Sequence, residues 1–259
     1  MPNARRLILT ALDWMRPKDP PHSLGHASIW ANLLKYGIKV FARSWAVNTP
    51  EFKADEVIDY AMSHADDDTD FAIGAFVWNE TSVQHILKSL KRHRFPGQLI
   101  VGGPQVSYVK KDLERFYPYA DVFIRGYAEE VMVKLLQQRI GTRAPVIRGV
   151  HKAGDADLGL SAIADFDILP SPFLTGLIPA QRFIRWETQR GCPFECSFCQ
   201  HRESDVSMKR RQLSTSRIFE EIQWIGAHPE IQDIAVLDPT FNSGNNYLAV
   251  LEALAEHEY

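Results

Sequence analysis

The chain has few cysteines. Its 259 residues include three, and all of them fall in one short run, at Cys192, Cys196 and Cys199. An odd number of thiols excludes a framework closed entirely by internal disulfides, and core cysteines would be scattered rather than gathered. The spacing C-x3-C-x2-C therefore indicates that the thiolates chelate a metal.

The chain also lacks a long apolar run and an excess of charge. Its longest apolar stretch, residues 71–78, is far shorter than the ~20 residues that span a bilayer. The apolar run near the N-terminus reaches Asp13 too soon for a signal peptide. The net charge of −3, from 29 Lys+Arg and 32 Asp+Glu, gives no basic surplus for nucleic acid or an anionic membrane. We predict a cytoplasmic protein without a nucleic-acid or membrane partner.

Short apolar runs alternate with amphipathic segments in the first half, which is typical of βαβ units around a parallel sheet. Strands are predicted at 7–12, 39–45, 71–77, 99–101 and 122–124, and helices at 23–36, 53–65 and 81–94. The acidic run 66–70 is interpreted as a solvated exit loop rather than a cation site. The sequence thus predicts an α/β fold whose residues 1–140 form a Rossmann-like, doubly wound parallel sheet.

Glycines gather where the predicted strands end. Ligands bind at the carboxyl ends of the strands in such sheets, and Gly102, Gly103 and Gly126 would let the backbone approach one closely. No G-x-G-x-x-G follows the first strand and no phosphate-binding P-loop motif occurs, which argues against a nucleotide. Trp78 and Asn79 follow the third strand at the same edge, although a tryptophan there is as often simple packing.

The number of available ligands limits which metal the cysteines can bind. Tetrahedral zinc needs a fourth ligand, and the nearby His201 is poorly spaced for the usual fingers. Three thiolates with a vacant position suit an iron–sulfur cluster in which one iron is open to a small molecule. A structural zinc knuckle is the alternative, and it would contain zinc and no iron.

The segment Trp186–Cys199, WETQRGCPFECSFC, resembles the cluster loop of radical S-adenosylmethionine (SAM) enzymes. That family's pattern is C-x3-C-x-aromatic-C, and Phe198 fills the aromatic place. The resemblance implies that Cys192, Cys196 and Cys199 hold three irons of a 4Fe-4S cluster. SAM would chelate the fourth iron, with Phe198 near the adenine. An external electron donor such as flavodoxin or ferredoxin would then drive cleavage of SAM to a 5′-deoxyadenosyl radical.

Four upstream segments resemble the cobalamin-binding domain that precedes the radical SAM domain in one large subfamily: PPHSLGHASI (20–29), IGAFVWN (73–79), VGGPQVS (101–107) and DVFIRGYAE (121–129). The run 167–176 looks like that subfamily's connector. The resemblance implies cobalamin contacts at the following residues: Trp78, Asn79, Gly102, Gly103, Ser107 and Gly126. The family's Gly-Glu-Gly-Glu is here Gly126-Tyr-Ala-Glu129, a departure that affects this loop.

Some cobalamin proteins ligate cobalt through D-x-H-x-x-G. His22 and Gly25 reproduce the second half of that motif, but Pro20 stands in place of the aspartate that would orient the imidazole. His22 is therefore either a cobalt ligand or, as we expect, a loop histidine over the ligand face.

Residues 181–259 resemble the start of the radical SAM barrel, joined to the first domain by a linker at 141–180. A strand at 182–188 enters the cluster loop, a helix begins at Ser214 or Ser216, and a second strand spans 231–237. Asp238 and Thr240 then follow, where other members bind the SAM amino group; they are SAM contacts or a plain turn and cap. Because the chain ends after two βα units, we expect a truncated fragment that is inactive alone.

The resemblance implies a cobalamin-dependent radical SAM enzyme that methylates an unactivated carbon of a small-molecule or peptide substrate. The sequence assigns no catalytic side chain. Two alternatives are a radical SAM mutase or cyclase that uses cobalamin without methyl transfer, and a cobalamin-binding module without catalysis.

Overall fold

The computed structural model describes residues 5–109, 111–138, 146–194, 196–199 and 210–257. Its largest element is a six-stranded sheet in the order β2-β1-β3-β4-β5-β6. The strands are β1 Arg6–Asp13, β2 Val40–Ala46, β3 Thr69–Gly74, β4 Leu99–Gly102, β5 Val122–Ile124 and β6 Val150–Lys152. The first five are parallel, and β6 pairs antiparallel with β5.

Helices cover both faces of this sheet. They are α1 Leu24–Lys35, α2 Ala54–Ser63, α3 Glu80–Arg92, α4 Leu113–Phe116 and α5 Ala128–Leu136. The apolar residues of α2 and α3 pack on one face with Ile8, whereas α5 and part of α1 pack on the other with Leu7 and Leu9. This alternation along β1 is what a sheet buried on both faces requires, and it confirms the predicted doubly wound architecture.

A second lobe follows the sheet. Its parallel strands β7 Phe183–Trp186 and β10 Asp233–Val236 pair with each other. Helix α6 Thr215–Gly226 lies between them in sequence, and α7 Tyr247–Ala255 follows β10. The Ser214 hydroxyl accepts a hydrogen bond from the Arg217 backbone amide and so caps α6. These elements are the two predicted βα units.

A two-residue antiparallel ladder joins the ends of the cluster loop. It pairs β8 Gln189–Arg190 with β9 Arg211–Gln212. The loop with the three cysteines therefore leaves and returns at one point, directly after β7.

The connector between the lobes packs into the second core. Phe166, Leu169 and Phe173 are buried there together with Trp186, and so are Leu24 and Ala27 of α1. Helix α1 therefore contributes to the cores of both lobes. Strand β6 and the bridge between Gly126 and Ala162 extend the first sheet into the segment predicted as a linker, and the domain limits stay a prediction.

Two local expectations differ from the structure. The third strand was expected to reach Val77 but ends at Gly74, because the Asn79 side chain accepts a hydrogen bond from the Phe76 amide and turns the chain. Asp70, expected in a solvated loop, lies inside β3, where its carboxylate accepts two hydrogen bonds from the buried Arg5 guanidinium at 2.7 and 2.8 Å. Within the described ranges, no helix is long and apolar enough to cross a bilayer.

Candidate functional site

Exposed aromatic side chains mark the carboxyl ends of β1 and β3. These strands are neighbours at the point where the winding of the sheet reverses. Trp14 follows β1, and Trp78, 43% exposed, follows β3. The Trp78 ring stacks on Phe76 with centroids 4.6 Å apart, and its Nε1 donates to the Leu12 carbonyl at 3.2 Å. The edge thus presents flat apolar surface that a large ligand could cover.

Asn79 is buried behind this edge and forms hydrogen bonds to the backbone at the ends of both strands. Its Nδ2 donates to the Leu12 and Gly74 carbonyls, each at 3.1 Å, and its Oδ1 accepts from the Phe76 amide at 2.8 Å. Both amide hydrogens are therefore used within the protein, and the side chain is buried. Asn79 ties β1 to β3 and fixes the loop that carries Trp78. Its predicted cobalamin contact stays a prediction.

The two glycines at the end of β4, Gly102 and Gly103, differ in the space that a side chain would find. Gly103 has φ +91°, and a Cβ there would lie 2.7 Å from the Ala75 carbonyl oxygen. Glycine is therefore required where the ends of β3 and β4 approach each other. A Cβ on Gly102 would lie at ordinary contact distance, 3.6 Å from the Ile124 carbonyl oxygen. Both glycines are half-buried at this edge, and their predicted cobalamin contacts stay predictions.

Ser107 and Gly126 meet at the neighbouring strand end. The Ser107 hydroxyl accepts from the Gly126 amide at 3.0 Å. Gly126 has φ +81°, and a Cβ there would lie 2.5 Å from the Ala162 carbonyl oxygen. The close approach of the connector therefore accounts for this glycine, and the ligand contacts predicted for both residues stay predictions.

His22 belongs to a cluster of rings beside β2. Its Nδ1 lies 3.0 Å from the Ser44 hydroxyl, and its ring stacks on His26 with centroids 5.4 Å apart. His26 is 6% exposed, and its Nε2 has no hydrogen-bond partner among the described residues. Burial, with a smaller contribution from the charge of His22, lowers the pKa of His26 to about 3. Burial also lowers the pKa of His22. Ligation of cobalt by His22 stays a prediction.

The three thiols share one loop at the surface. Cys192 and Cys199 are half-buried, and Cys196 is exposed. The Cys199 amide donates to the Cys196 carbonyl at 3.0 Å, and the Phe198 ring is 91% exposed. In the described part of the chain no three His, Cys, Asp or Glu side chains are arranged as a metal site. The fit to a cluster rests on the chemistry of three soft thiolates. His201 lies outside the described residues.

Asp238 holds the base of this loop from the second strand of the lobe. Its Oδ1 accepts from the amides of Thr188 and Gln189 at 2.8 and 3.2 Å, and its Oδ2 accepts from the Thr188 hydroxyl at 2.5 Å. Burial raises the pKa of Asp238, although these hydrogen bonds oppose the shift. The side chain thus ties β10 to β8.

Orphaned polar atoms lie beside Asp238. The Gln189 Nε2 donates to the Thr240 carbonyl at 2.9 Å. The Gln189 Oε1 and the Thr240 hydroxyl are buried without a hydrogen-bond partner among the described residues. Buried polar atoms are normally satisfied, so this corner at the strand ends fits a polar ligand. Gln189 was not foreseen, because its sequence position gives no sign of burial.

Arg190 joins the cluster loop to the first lobe. Its Nη1 donates to the Glu129 carboxylate of α5 at 2.6 Å, while its Nε donates to Glu187 at 2.9 Å. Its guanidinium lies over the rings of Tyr127 and Phe166, 5.3 and 5.0 Å from their centroids. Burial would raise the pKa of Glu129, but the charge of Arg190 and the hydrogen bonds lower it. Nothing in the local sequence identifies these partners.

Comparisons with known proteins bear on this arrangement. No protein-family model matches the chain. It is 31% identical over 233 residues to 2-(S-pantetheinyl)-carbapenam-3-carboxylate methyltransferase of Streptantibioticus cattleyicolor. That match covers 83% of this chain and 34% of the relative. It is 30% identical over 203 residues to the cobalamin-dependent radical SAM methyltransferase TokK of Streptomyces tokunonensis. This second match covers 71% of this chain and 29% of TokK. The chain thus spans about a third of the length of these relatives.

A solved structure has the same fold. The cobalamin-dependent SAM radical enzyme OxsB, with aqua-cobalamin and SAM bound, superposes with a TM-score of 0.71 at 18% identity. The match covers 98% of this chain and 37% of that one. The chain therefore has the fold of the corresponding part of this enzyme, a doubly wound sheet followed by a second lobe with parallel strands. The chain belongs to the family of cobalamin-binding radical SAM enzymes.

Proposed function

We propose that this chain is the cobalamin- and cluster-binding part of a methyltransferase that acts on an unactivated carbon. The observation that carries the proposal is the placement of the three-cysteine loop. Its base is bonded through Arg190 to the lobe whose edge exposes Trp14 and Trp78. Two relatives named as methyltransferases support the type of reaction.

The residues proposed for each cofactor are those that the sequence resemblance implies. Cys192, Cys196 and Cys199 would hold a 4Fe-4S cluster, and Phe198, Asp238 and Thr240 would contact SAM, with Asp238 also holding the loop base. The cobalamin contacts would be Trp78, Gly102, Gly103, Ser107 and Gly126, with Asn79 behind them. When bound, the cluster with SAM supplies a 5′-deoxyadenosyl radical, and cobalamin carries the methyl group.

The chain's own residues orient these groups and exclude water. Trp14 and Trp78 remove an apolar face of the ligand from solvent. The bonds of Asp238 to Thr188 and Gln189 hold the start of the loop that carries the three cysteines. The substrate would be a small molecule or a peptide, and flavodoxin or ferredoxin would donate electrons. A cytoplasmic location, where thiols stay reduced, suits this chemistry.

The cluster assignment is tested by anaerobic reconstitution of the 259-residue chain. We expect about four irons per chain and their loss when Cys192 is changed to serine. Zinc at one ion per chain, with no iron, would overturn the assignment.

The reaction is tested on the whole protein supplied with SAM and reductant. Methyl transfer requires both 5′-deoxyadenosine and S-adenosylhomocysteine among the products. Formation of 5′-deoxyadenosine alone would instead support a mutase or cyclase. Cobalamin binding without cleavage of SAM would support a binding module.

The cobalamin edge is tested with Trp78→Ala. Loss of the aromatic contact should raise the Kd for cobalamin roughly tenfold, as measured by absorbance titration. The matched control is Tyr36→Ala, because Tyr36 is similarly exposed but follows the C-terminal end of α1, away from this edge. Equal affinity of the Trp78 variant and the unchanged chain would place the cobalamin elsewhere.

A further inference from the structure

One half-buried side chain links the two lobes next to the cysteines. Arg190 lies two residues before Cys192, and its Nη1 reaches the Glu129 carboxylate at 2.6 Å. The Glu129 side chain is 4% exposed and that of Arg190 15%. The contact joins residues 61 apart in sequence, so it fixes the loop base relative to the sheet lobe.

The guanidinium is held on two sides at once. Its Nη2 and Nε also donate to Glu187, at 2.5 and 2.9 Å. Glu187 belongs to the same strand end as Arg190, so this pair stiffens the loop base locally, whereas Glu129 supplies the link to the other lobe. A planar fork can serve two carboxylates at once, whereas an ammonium group cannot match that geometry.

Glu129 is itself fixed by α1. The Ser28 hydroxyl donates to its Oε1 at 3.1 Å, and the Asn32 Nδ2 donates to its backbone carbonyl at 2.8 Å. An unbroken series of hydrogen bonds therefore runs from α1 through Glu129 and Arg190 to the first residues of the cluster loop. The rings of Tyr127 and Phe166 pack against the guanidinium, and the Arg190 side chain is 15% exposed.

We propose that Glu129 is a positioning residue for the cluster loop, which it holds at a fixed place on the sheet lobe through Arg190. The proposal rests on the proposed function in one respect, namely that this loop carries the cluster. The contact itself is a property of the chain without cofactors, and it is tested in that state.

The test uses the three cysteines, which are the chain's whole complement of thiols and all lie in this loop. We would measure the rate at which the cofactor-free chain reacts with a chromogenic disulfide reagent. Glu129→Gln removes the charge that holds Arg190, and it should raise the rates of the half-buried Cys192 and Cys199 roughly tenfold, whereas the exposed Cys196 should react at the same rate in both chains. The matched control is Asp70→Asn. Asp70 is equally buried and paired with Arg5 in the sheet lobe, away from the loop base, so that variant should keep the rates of the unchanged chain.

Two outcomes would overturn the proposal. One is an unchanged thiol rate in Glu129→Gln, and the other is an equal acceleration in Asp70→Asn, which would show general loosening. If Glu129→Gln does not fold, Arg190→Lys is the second variant. Lysine keeps the positive charge but can bond only one of the two carboxylates, so the half-buried thiols of that variant should react faster than those of the unchanged chain. A chain that shows these rates but binds no iron would contradict the proposed function alone.

Discussion

At the scale of single residues, the rings around His26 show how burial changes the chemistry of a side chain. His26 lies buried on α1 against the stacked ring of His22, and burial lowers its pKa to about 3. The unfolded chain binds a proton on this side chain near pH 6.5, and the folded chain does not. Its contribution to stability is therefore complete above pH 6.5 and is lost as the pH falls toward 3.

The protonation of His26 in the unfolded chain makes the free energy of unfolding depend on pH. We expect the free energy of unfolding to fall by about 1.4 kcal/mol per pH unit below pH 6.5 on account of His26. His26→Phe should remove that part of the slope between pH 6.5 and 5, as measured by urea denaturation at each pH.

The control is the same change at His85, which is exposed on α3 and should retain the slope. A His26→Phe variant as pH-dependent as the unchanged chain would show that this imidazole is protonated in the folded state.

Residue roles at strand ends were the least predictable from sequence. Asn79 and Asp238 each follow a strand, where such side chains both form turns and contact ligands. The structure shows that the polar atoms of both are engaged within the protein. The Asp238 carboxylate bonds residues 50 and 49 positions earlier in the chain, and no local pattern specifies such a pairing.

At the scale of elements, Gly103 defines how β3 and β4 end. Alanine there must adopt φ +91° and also place its Cβ 2.7 Å from the Ala75 carbonyl oxygen. We expect Gly103→Ala to lower the free energy of unfolding by about 2–4 kcal/mol, from backbone strain plus displacement of the strand end. Urea denaturation measures the change.

Substitution of Gly154 measures the backbone strain without the steric contact. Its φ is +88°, but a Cβ there would meet nothing within 4 Å. Gly154→Ala should therefore cost only the conformational strain, about 1–2 kcal/mol. Equal costs at the two positions would show that the close approach to Ala75 contributes nothing.

The long elements were predictable and the short ones were not. Strands β1 to β5 follow apolar runs, because burial on both faces leaves a clear signature. Helix α1 begins directly after Ser23, as predicted, although the Ser23 side chain makes no capping hydrogen bond. Strands β8 and β9 have two residues each, too few for any periodicity. Strand β6 exists because β5 offers a free edge, which is a property of the sheet and not of residues 150–152.

At the scale of the whole molecule, α1 couples the two lobes. Its Leu33 lies in one core, and its Leu24 and Ala27 lie in the other. We expect Leu24→Ala to cost about 2–5 kcal/mol and to shift the unfolding of both lobes together. Far-ultraviolet circular dichroism and tryptophan fluorescence should give coincident transitions in urea.

Leu33→Ala serves as the matched change in the first core. It should shift the same single transition. Separate transitions after Leu24→Ala would show that the lobes unfold independently and that α1 belongs to one of them.

The sharing of α1 also sets an order of events during translation. The ribosome completes α1 at Lys35, roughly 150 residues before Trp186 of the second core is added. At about 5–20 residues per second, the face of Leu24 and Ala27 waits on the order of ten seconds for the elements that cover it. The nascent chain therefore carries an uncovered apolar surface throughout that interval, which is the kind of surface that chaperones recognise.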